Sequence, residues 1–319
     1  MRKLRYVPVL LLLMALASLG SSGTAGAAGG PEGRIEARES EPPDTLGPLL
    51  TDTAVPAAKG TLYVQPFWSL GSVTGVFNTH GKRVSAGGNF RSFEYDLQIT
   101  YGAWDNFEVF TFIPVKVNWA NSLEEPGPGG ERSAWHAGLG DLNLTLKYRL
   151  VKEGPVAPTI TAVCATNFPT GRYKNVNPIL QGTGALGSGS YVPTTGVNLS
   201  KWVKPFIFYA NLYYSMPTSF TNNEGKQHPR DFVTANLAAE YPVTEKWIAL
   251  LEFTSFWDGA RLYGPSSNVA PAHLLSVLPG IEFMATEKLG FYLGVNLDLI
   301  GRNTIARVTP IFSLLWMVH

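Results

Sequence analysis

The chain has 319 residues, of which 45% are apolar and 12% aromatic, but only 15% are charged. An average soluble domain has roughly a quarter charged residues, so we expect something other than water to cover part of the surface. The formal net charge of +1 offers no basic field for nucleic acid, and the single cysteine, Cys164, excludes both an internal disulfide and a cysteine-rich metal site.

The N-terminus predicts an export signal. Basic residues precede an apolar stretch over 7–19, and small residues with the cleavage sequence Ala25-Gly26-Ala27 follow. This is the layout of a secretory signal peptide, and the apolar stretch is too short for a comfortable membrane-spanning helix. We therefore expect residues 1–28 to be a signal peptide, with an uncleaved anchor as the alternative.

Residues 29–59 form a lead segment in which prolines and glycines break every regular pattern, among them Pro42-Pro43 and Gly47-Pro48. Such a composition predicts a flexible segment. The sequence leaves open whether the segment stays free or enters a lumen as a plug.

From residue 60 to 319 the dominant pattern is apolar and polar alternation, the period of a β-strand. In the stretch 93–101, for example, Phe93, Tyr95 and Leu97 share one face, while Glu94 and Asp96 share the other. Twelve segments of this kind can be counted, with boundary errors of a few residues. We place them at 61–70, 90–102, 106–118, 138–150, 156–168, 191–200, 205–216, 231–241, 246–257, 273–284, 289–300 and 304–318.

The connections between these segments alternate between long and short, except for the last one, 301–303. Bacterial outer-membrane barrels have this asymmetry, with brief periplasmic turns and extended external loops. The pattern therefore predicts an all-β, antiparallel, up-and-down transmembrane β-barrel of about twelve strands in the bacterial outer membrane. Its lipid is one expected partner, and the outer-membrane assembly machinery is another, although the terminal His319 replaces the aromatic residue that commonly ends such chains. No oligomeric state follows.

The segment Gly138-Leu-Gly-Asp-Leu-Asn-Leu-Thr-Leu-Lys-Tyr148 resembles a strand of the outer-membrane family labelled MetA-pathway of phenol degradation. Further similar stretches follow in order, namely Phe168-Pro-Thr-Gly171, Leu186-Gly-Ser-Gly-Ser190, Leu199-Ser-Lys201 and Tyr209-Ala-Asn-Leu-Tyr213. The resemblance covers roughly residues 60–319. It implies an outer-membrane barrel for uptake of aromatic or other hydrophobic compounds, and it implies no catalytic residues.

Closure of the sheet in lipid would turn the apolar faces outward and the polar faces toward the lumen. A barrel of twelve strands lies between filled small barrels and wide pores, so we expect a narrow polar lumen that passes small solutes passively, without cofactor or metal. By parity, the lumen-lining candidates are Glu94, Asp96, Glu108, Lys116, Asp141, Lys147, Arg149, Glu240, Glu252, Glu282, Asp298 and Arg307. They either brace the wall as ion pairs or select solutes. Candidate aromatic contacts for a solute are Tyr63, Phe67, Tyr209 and Tyr213.

Two other functions remain open at this stage. His80, His136, His228 and His273 fall in or beside the long loops, where they could form a metal cluster or pair with a serine such as Ser133. That would give a barrel hydrolase, but no metal-type spacing or nucleophile elbow supports it. The other alternative is a barrel with a structural or surface-binding role.

Overall fold

The computed structural model describes residues 45–223, 225–259 and 270–318. The expected signal peptide, the first part of the lead segment and His319 lie outside the described residues. The strands are, in chain order, β1 (Leu62–Phe77), β2 (Arg83–Val84), β3 (Asn89–Trp104), β4 (Phe107–Asn121), β5 (Ala134–Leu139), β6 (Leu142–Val151), β7 (Thr159–Phe168), β8 (Val192–Val203), β9 (Phe206–Ser215), β10 (Phe220–Asn222), β11 (Gly225–Gln227), β12 (Phe232–Pro242), β13 (Trp247–Asp258), β14 (His273–Thr286), β15 (Leu289–Arg302) and β16 (Thr304–Met317). A short 3₁₀ helix spans Pro178–Leu180.

The main sheet closes on itself as an antiparallel barrel. Neighbouring long strands pair in chain order, and β16 pairs with β1 along a seam that runs from Tyr63 opposite Met317 to Phe77 opposite Thr304. β5 and β6 both pair with β4 and follow each other directly, so they are two parts of one wall strand. The wall therefore has twelve strands, which confirms the expected fold.

Most wall strands lie within three residues of their expected bounds, and two differ by more. β1 continues to Phe77, beyond the expected residue 70, because its glycine and hydroxyl residues hide the alternation while the backbone still pairs with β16. The expected strand 138–150 begins earlier and is interrupted at Gly140 and Asp141. There the Gly140 amide donates to Pro114 of β4, and the Asp141 carboxylate accepts from a loop rather than continuing the strand pattern.

Burial along the wall is the reverse of that in a water-soluble sheet. On β6 the apolar Leu144, Leu146 and Tyr148 are exposed, whereas Thr145 and Lys147 between them are buried, with Lys147 at 1% exposure. The same holds on β13, where Leu251 and Phe253 are exposed and Glu252 has no exposed surface. The apolar face therefore points out of the barrel and the polar face points in.

The two ends of the barrel differ in their connections. At one end the strands are joined by short turns, such as 105–106 and 204–205, and β1 begins and β16 ends there. Longer connections, such as 169–191 and 216–231, lie at the other end. In the described part of the chain, no helix is long and apolar enough to cross a membrane.

The seam between β1 and β16 gives a direct test of closure. Ser72 lies opposite Val308 in this seam, and opposed residues of antiparallel strands lie within the Cα distance that a disulfide needs. In a Cys164→Ser background, Ser72→Cys with Val308→Cys should cross-link on mild oxidation, detected as a mobility change on non-reducing gels. Ser72→Cys with Phe312→Cys is the control, because Phe312 lies opposite Trp68. Equal cross-linking of both pairs would contradict the register.

Candidate functional site

Residues 45–59, here called the lumenal segment, lie inside the barrel. Their hydrogen bonds reach side chains from strands around the wall, including Glu108 of β4, Ser200 of β8, Glu252 of β13 and Tyr292 of β15. A single short segment can contact so many strands only from within the barrel. Residues 45–59 therefore occupy the lumen near the short-turn end.

Glu252 holds the middle of the lumenal segment. One carboxylate oxygen accepts from the backbone amides of Leu49 at 2.7 Å and Leu50 at 3.0 Å, and the other accepts from Thr51 at 2.5 Å. Successive backbone amides that converge in this way form an anion-binding nest. No cation from residues 45–223, 225–259 or 270–318 pairs with this buried carboxylate, and backbone dipoles of the segment stabilise it instead.

Asp52 ties the segment to the opposite side of the lumen. Its carboxylate accepts from Lys147 Nζ at 2.8 Å and from Asn198 Nδ2 at 2.8 Å, and Lys147 also pairs with Glu108 at 3.1 Å. Lys147 thus lies between one carboxylate from the segment and one from the wall. A buried charge is costly without a partner, so the carboxylate of Asp52 from the segment helps to stabilise the buried Lys147 ammonium.

Three further backbone amides of the segment find side-chain acceptors on the wall. Asp52 N donates to Asn211, Ala54 N to Ser200 and Ala57 N to Glu108. Two prolines, Pro48 and Pro56, have no amide to satisfy. The wall therefore replaces the hydrogen bonds that secondary structure would otherwise provide.

Two glycines make room for the segment at its ends. A Cβ atom on Gly102 would lie 2.0 Å from the carbonyl oxygen of Ala58, and one on Gly290 would lie 2.1 Å from the Leu46 side chain. Distances this short do not occur for a real Cβ. At Gly102 the neighbour is backbone, so this position requires the absence of a side chain, whereas at Gly290 the Leu46 side chain would have to move. The wall is shaped to the segment.

A second set of charges lies farther toward the long-loop end. Glu94 of β3 pairs with Lys116 of β4 at 2.6 Å, and Asp298 of β15 accepts from Ser276 Oγ and from the Arg307 amide. Asp96 lies two residues along β3 from Glu94. These partly exposed groups follow β3, β4, β15 and β16, which are neighbours around the wall.

Two of the candidate charges make their contacts at the ends of the barrel. Arg149 donates to Asn106 Oδ1 and to the Asp105 carbonyl in the short turn between β3 and β4. Asp141 accepts from Gly171 N at 3.0 Å and from both the amide and the hydroxyl of Ser188 at 2.7 Å. Arg149 therefore fastens a turn, and Asp141 fastens a loop.

The Asp141 contacts bring together three of the stretches that carry the family resemblance. The Thr170 hydroxyl donates to the Gly140 carbonyl at 2.8 Å and accepts from Leu142 N at 3.0 Å. The loop 169–191 is thus clasped to the break in the wall strand. Farther along this loop, the Thr183 carbonyl accepts from the inward-facing Asn118 side chain at 3.1 Å, so part of the loop lies over the lumen.

The four aromatic candidates lie at alternate strand positions whose side chains face the lumen. The Tyr209 hydroxyl donates to Glu240 at 2.8 Å and the Tyr213 hydroxyl donates to Asn198 at 2.6 Å, so both are committed to the polar network. Phe67 lies 5.9 Å from Phe112 between ring centroids, and Tyr63 precedes it on the same face of β1.

Three inward aromatics were missed by sequence reasoning. Phe112 and Phe110 form an edge-to-face pair on β4, and Tyr292 of β15 donates to the Leu46 carbonyl at 2.6 Å. Parity would have found Phe110 and Phe112, because they lie on the same face of β4 as Glu108. The same holds for Tyr292, which shares the parity of Asp298 on β15.

The histidines make separate contacts. His136 lies 3.4 Å from an Arg172 nitrogen, and His228 lies 2.8 Å from the Ser219 hydroxyl on an exposed loop. His80 contacts its neighbour Thr79. Over residues 45–223, 225–259 and 270–318, no three metal-binding side chains come together.

Comparison with known proteins gives a fold but no family. No family model and no curated protein matches the chain. Among solved structures, an outer membrane channel from Pseudomonas putida is similar with a TM-score of 0.67 and 14% identity, over 86% of this chain and 100% of that one. This likeness establishes the fold alone, that of an outer-membrane β-barrel.

Two weaker likenesses have TM-scores too low to support an argument. The translocator domain of the autotransporter NalP from Neisseria meningitidis has a TM-score of 0.48 and 10% identity, covering 82% of this chain and 89% of that one. The NanC porin has a TM-score of 0.47 and 10% identity, covering 80% and 98%.

The attachment of the loop 169–191 to the Asp141 carboxylate can be tested by proteolysis. Asp141→Ala removes a charged acceptor from three donors, and one hydrogen bond to a charged group contributes about 1.5–3 kcal/mol. Trypsin should then cleave the loop after Arg172 or Lys174 about tenfold faster or more, since 1.4 kcal/mol corresponds to tenfold. Asp105→Ala, in a short turn, is the control. Equal cleavage rates in the two variants would show that Asp141 does not hold the loop.

Proposed function

We propose that this protein is an outer-membrane channel for passive entry of small solutes, and that the lumenal segment constricts its pore. The observation that carries the proposal is the combination of an apolar outer wall with a polar lumen that holds a segment outside the backbone pairing of the wall. The segment is attached to the wall by hydrogen bonds and one ion pair, through Glu252, Lys147 and Ser200. Such attachments can open without unfolding the barrel.

The proposed orientation follows from the connections. In bacterial outer-membrane barrels the short turns face the periplasm and the long loops face outward. The lumenal segment would then lie in the periplasmic half, while the loop held by Asp141 would lie at the external mouth. Outer-membrane lipid would surround exposed side chains such as Leu251 and Trp316.

The expected solutes are small and aromatic or otherwise hydrophobic. Phe67, Phe110 and Phe112 form an apolar patch on the inner wall of β1 and β4. The charges farther up the lumen, Glu94 and Lys116, neutralise each other. A lumen that combines neutralised charges with an aromatic patch favours weakly charged or neutral solutes over large ions. The MetA-pathway resemblance points the same way.

A sealed barrel with a structural role is the competing function, and the lumenal segment itself favours it. The two functions differ in whether the segment can leave. A channel reaction requires no bond breaking in the solute, so the proposal assigns no catalytic residue, cofactor or metal.

Ion current across planar bilayers separates the two functions. Glu252→Gln removes the charge that the amides of Leu49, Leu50 and Thr51 share, and it places an amide donor against other donors. We expect larger or more frequent openings than in the unmodified protein. Glu245→Gln is the matched control, because Glu245 lies exposed in the turn between β12 and β13. Absence of current in every variant would favour the sealed barrel.

The solute class can be tested by channel block. A small neutral aromatic compound should interrupt the current of the Glu252→Gln channel while it is bound. Phe67→Ala should shorten these interruptions by up to about tenfold, since aromatic pairs contribute about 0.5–1.5 kcal/mol. Phe93→Ala, which removes a ring from the outer face of the neighbouring β3, should have no effect. Equal shortening by both substitutions would contradict an aromatic site in the lumen.

A further inference from the structure

Two buried carboxyl groups face each other beside the N-terminal end of the lumenal segment. Glu240 of β12 and Glu282 of β14 both have no exposed surface, and their carboxyl groups are within hydrogen-bonding reach of each other. On each of them, one oxygen has no donor in the described part of the chain. These two orphaned oxygens are the feature that the channel proposal does not explain.

Among the described residues, no cation faces the pair. The titratable groups that face it, within the described residues, are Tyr209 from β9, Glu252 from β13 and Tyr292 from β15. Tyr209 already donates to Glu240 Oε2, and Tyr292 donates to the segment. Glu252 adds a further negative charge. Glu240 and Glu282 therefore differ from Glu108, which has Lys147 as its partner.

Two ionised carboxylates cannot remain in contact in a buried site without a cation, because their repulsion adds to the cost of desolvation. A single proton between the two orphaned oxygens removes this conflict. The protonated carboxyl then donates one hydrogen bond and the ionised one accepts it. One shared proton is enough to satisfy both oxygens.

The pair also holds the end of the segment. Glu282 Oε2 accepts from Leu46 N at 3.1 Å, and Glu240 accepts from Tyr209, whose hydroxyl lies 3.4 Å from the Thr45 hydroxyl. The Leu46 carbonyl accepts from Tyr292 at 2.6 Å. Displacement of either carboxylate would thus disturb the contacts of Thr45 and Leu46 first.

We propose that the Glu240–Glu282 pair is a proton-controlled latch on the lumenal segment. With one proton shared, the pair is closed and the segment is held. When that proton passes to water at alkaline pH, two like charges face each other, the carboxylates separate and take up water, and residues 45–46 leave the wall. The remaining anchors, Glu252 and Asp52, have their own donors and act as the hinge of the opening. This inference rests on the proposed channel function.

The test is bilayer current measured from mildly acidic to mildly alkaline pH. The unmodified protein should open reversibly as the pH rises. Glu240→Gln should lose this pH-dependent step and stay closed, because its amide can donate to Glu282 without a titrating proton. Glu245→Gln should keep the step. The same pH dependence in Glu240→Gln as in the unmodified protein would overturn the latch.

A second measurement follows the segment itself. In a Cys164→Ser background, Leu46→Cys should react with a water-soluble thiol reagent faster when Glu240 is present than when it is replaced by Gln, compared at one alkaline pH. Comparison at the same pH removes the effect of pH on the thiol. Equal labelling in the two backgrounds contradicts the latch, and so does labelling that responds to calcium and a chelator instead of pH, because a cation would then occupy the pair.

The two hypotheses fail in different ways. If neither the unmodified protein nor Glu252→Gln conducts at any pH, the channel function is wrong. If Glu252→Gln conducts while the unmodified protein shows no opening at alkaline pH, the channel stands and the latch is wrong. Glu282→Gln provides a second variant, and its current should lose the same pH-dependent step.

Discussion

The hydrogen-bonded seam between β1 and β16 is the constraint from which the rest of the structure follows. An open sheet would leave a row of backbone amides and carbonyls without partners, which a hydrocarbon environment does not tolerate. Closure removes both edges and gives every wall strand one inner and one outer face. The inner face is shut off from lipid and can carry charge, whereas the outer face must be apolar.

An enclosed polar face creates a demand for hydrogen-bond partners. Wall residues such as Glu252, Glu108 and Ser200 sit where neither bulk water nor a neighbouring strand satisfies them fully. The backbone amides of the lumenal segment donate hydrogen bonds to these side chains. The same bonds satisfy amides that have no partner within the irregular segment itself. The segment also packs closely against the wall, because the Ala58 carbonyl lies where a Cβ atom on Gly102 would be.

The sequence predicts what depends on side-chain parity. Alternation located all twelve wall strands, and it put Glu252 and Lys147 on the polar face, because a period of two is a property of each strand alone. The nest around Glu252 could not be predicted in this way. Its donors are backbone amides of Leu49, Leu50 and Thr51, and any residue except proline offers such a donor, so no residue type marks the site.

For the segment 138–148, on which the family resemblance rests, sequence reasoning was limited in a different way. The glycines and Asp141 of this segment could be recognised as a pattern, but their purpose became clear only when Gly171 and Ser188 were found on the same carboxylate. These residues are distant in sequence, and only the fold brings them together. For this reason the charged candidates divided into three groups that parity alone cannot separate. Some hold the segment, some hold loops or turns, and some pair along the open lumen.

The way the segment is attached also bears on how the proposed channel would work. Each hydrogen bond between a side chain and the backbone contributes about 0.5–1.5 kcal/mol, or more with a charged acceptor, so no single contact fixes the segment permanently. The wall strands are held instead by continuous backbone ladders. The lumenal segment can therefore detach one contact at a time while the wall strands stay paired. Detachment would start at a contact whose strength depends on a solution condition such as pH. Among the described anchors, Glu240 and Glu282 lack both a counter-charge and a full set of donors, so the proposed opening would begin at the Thr45 end.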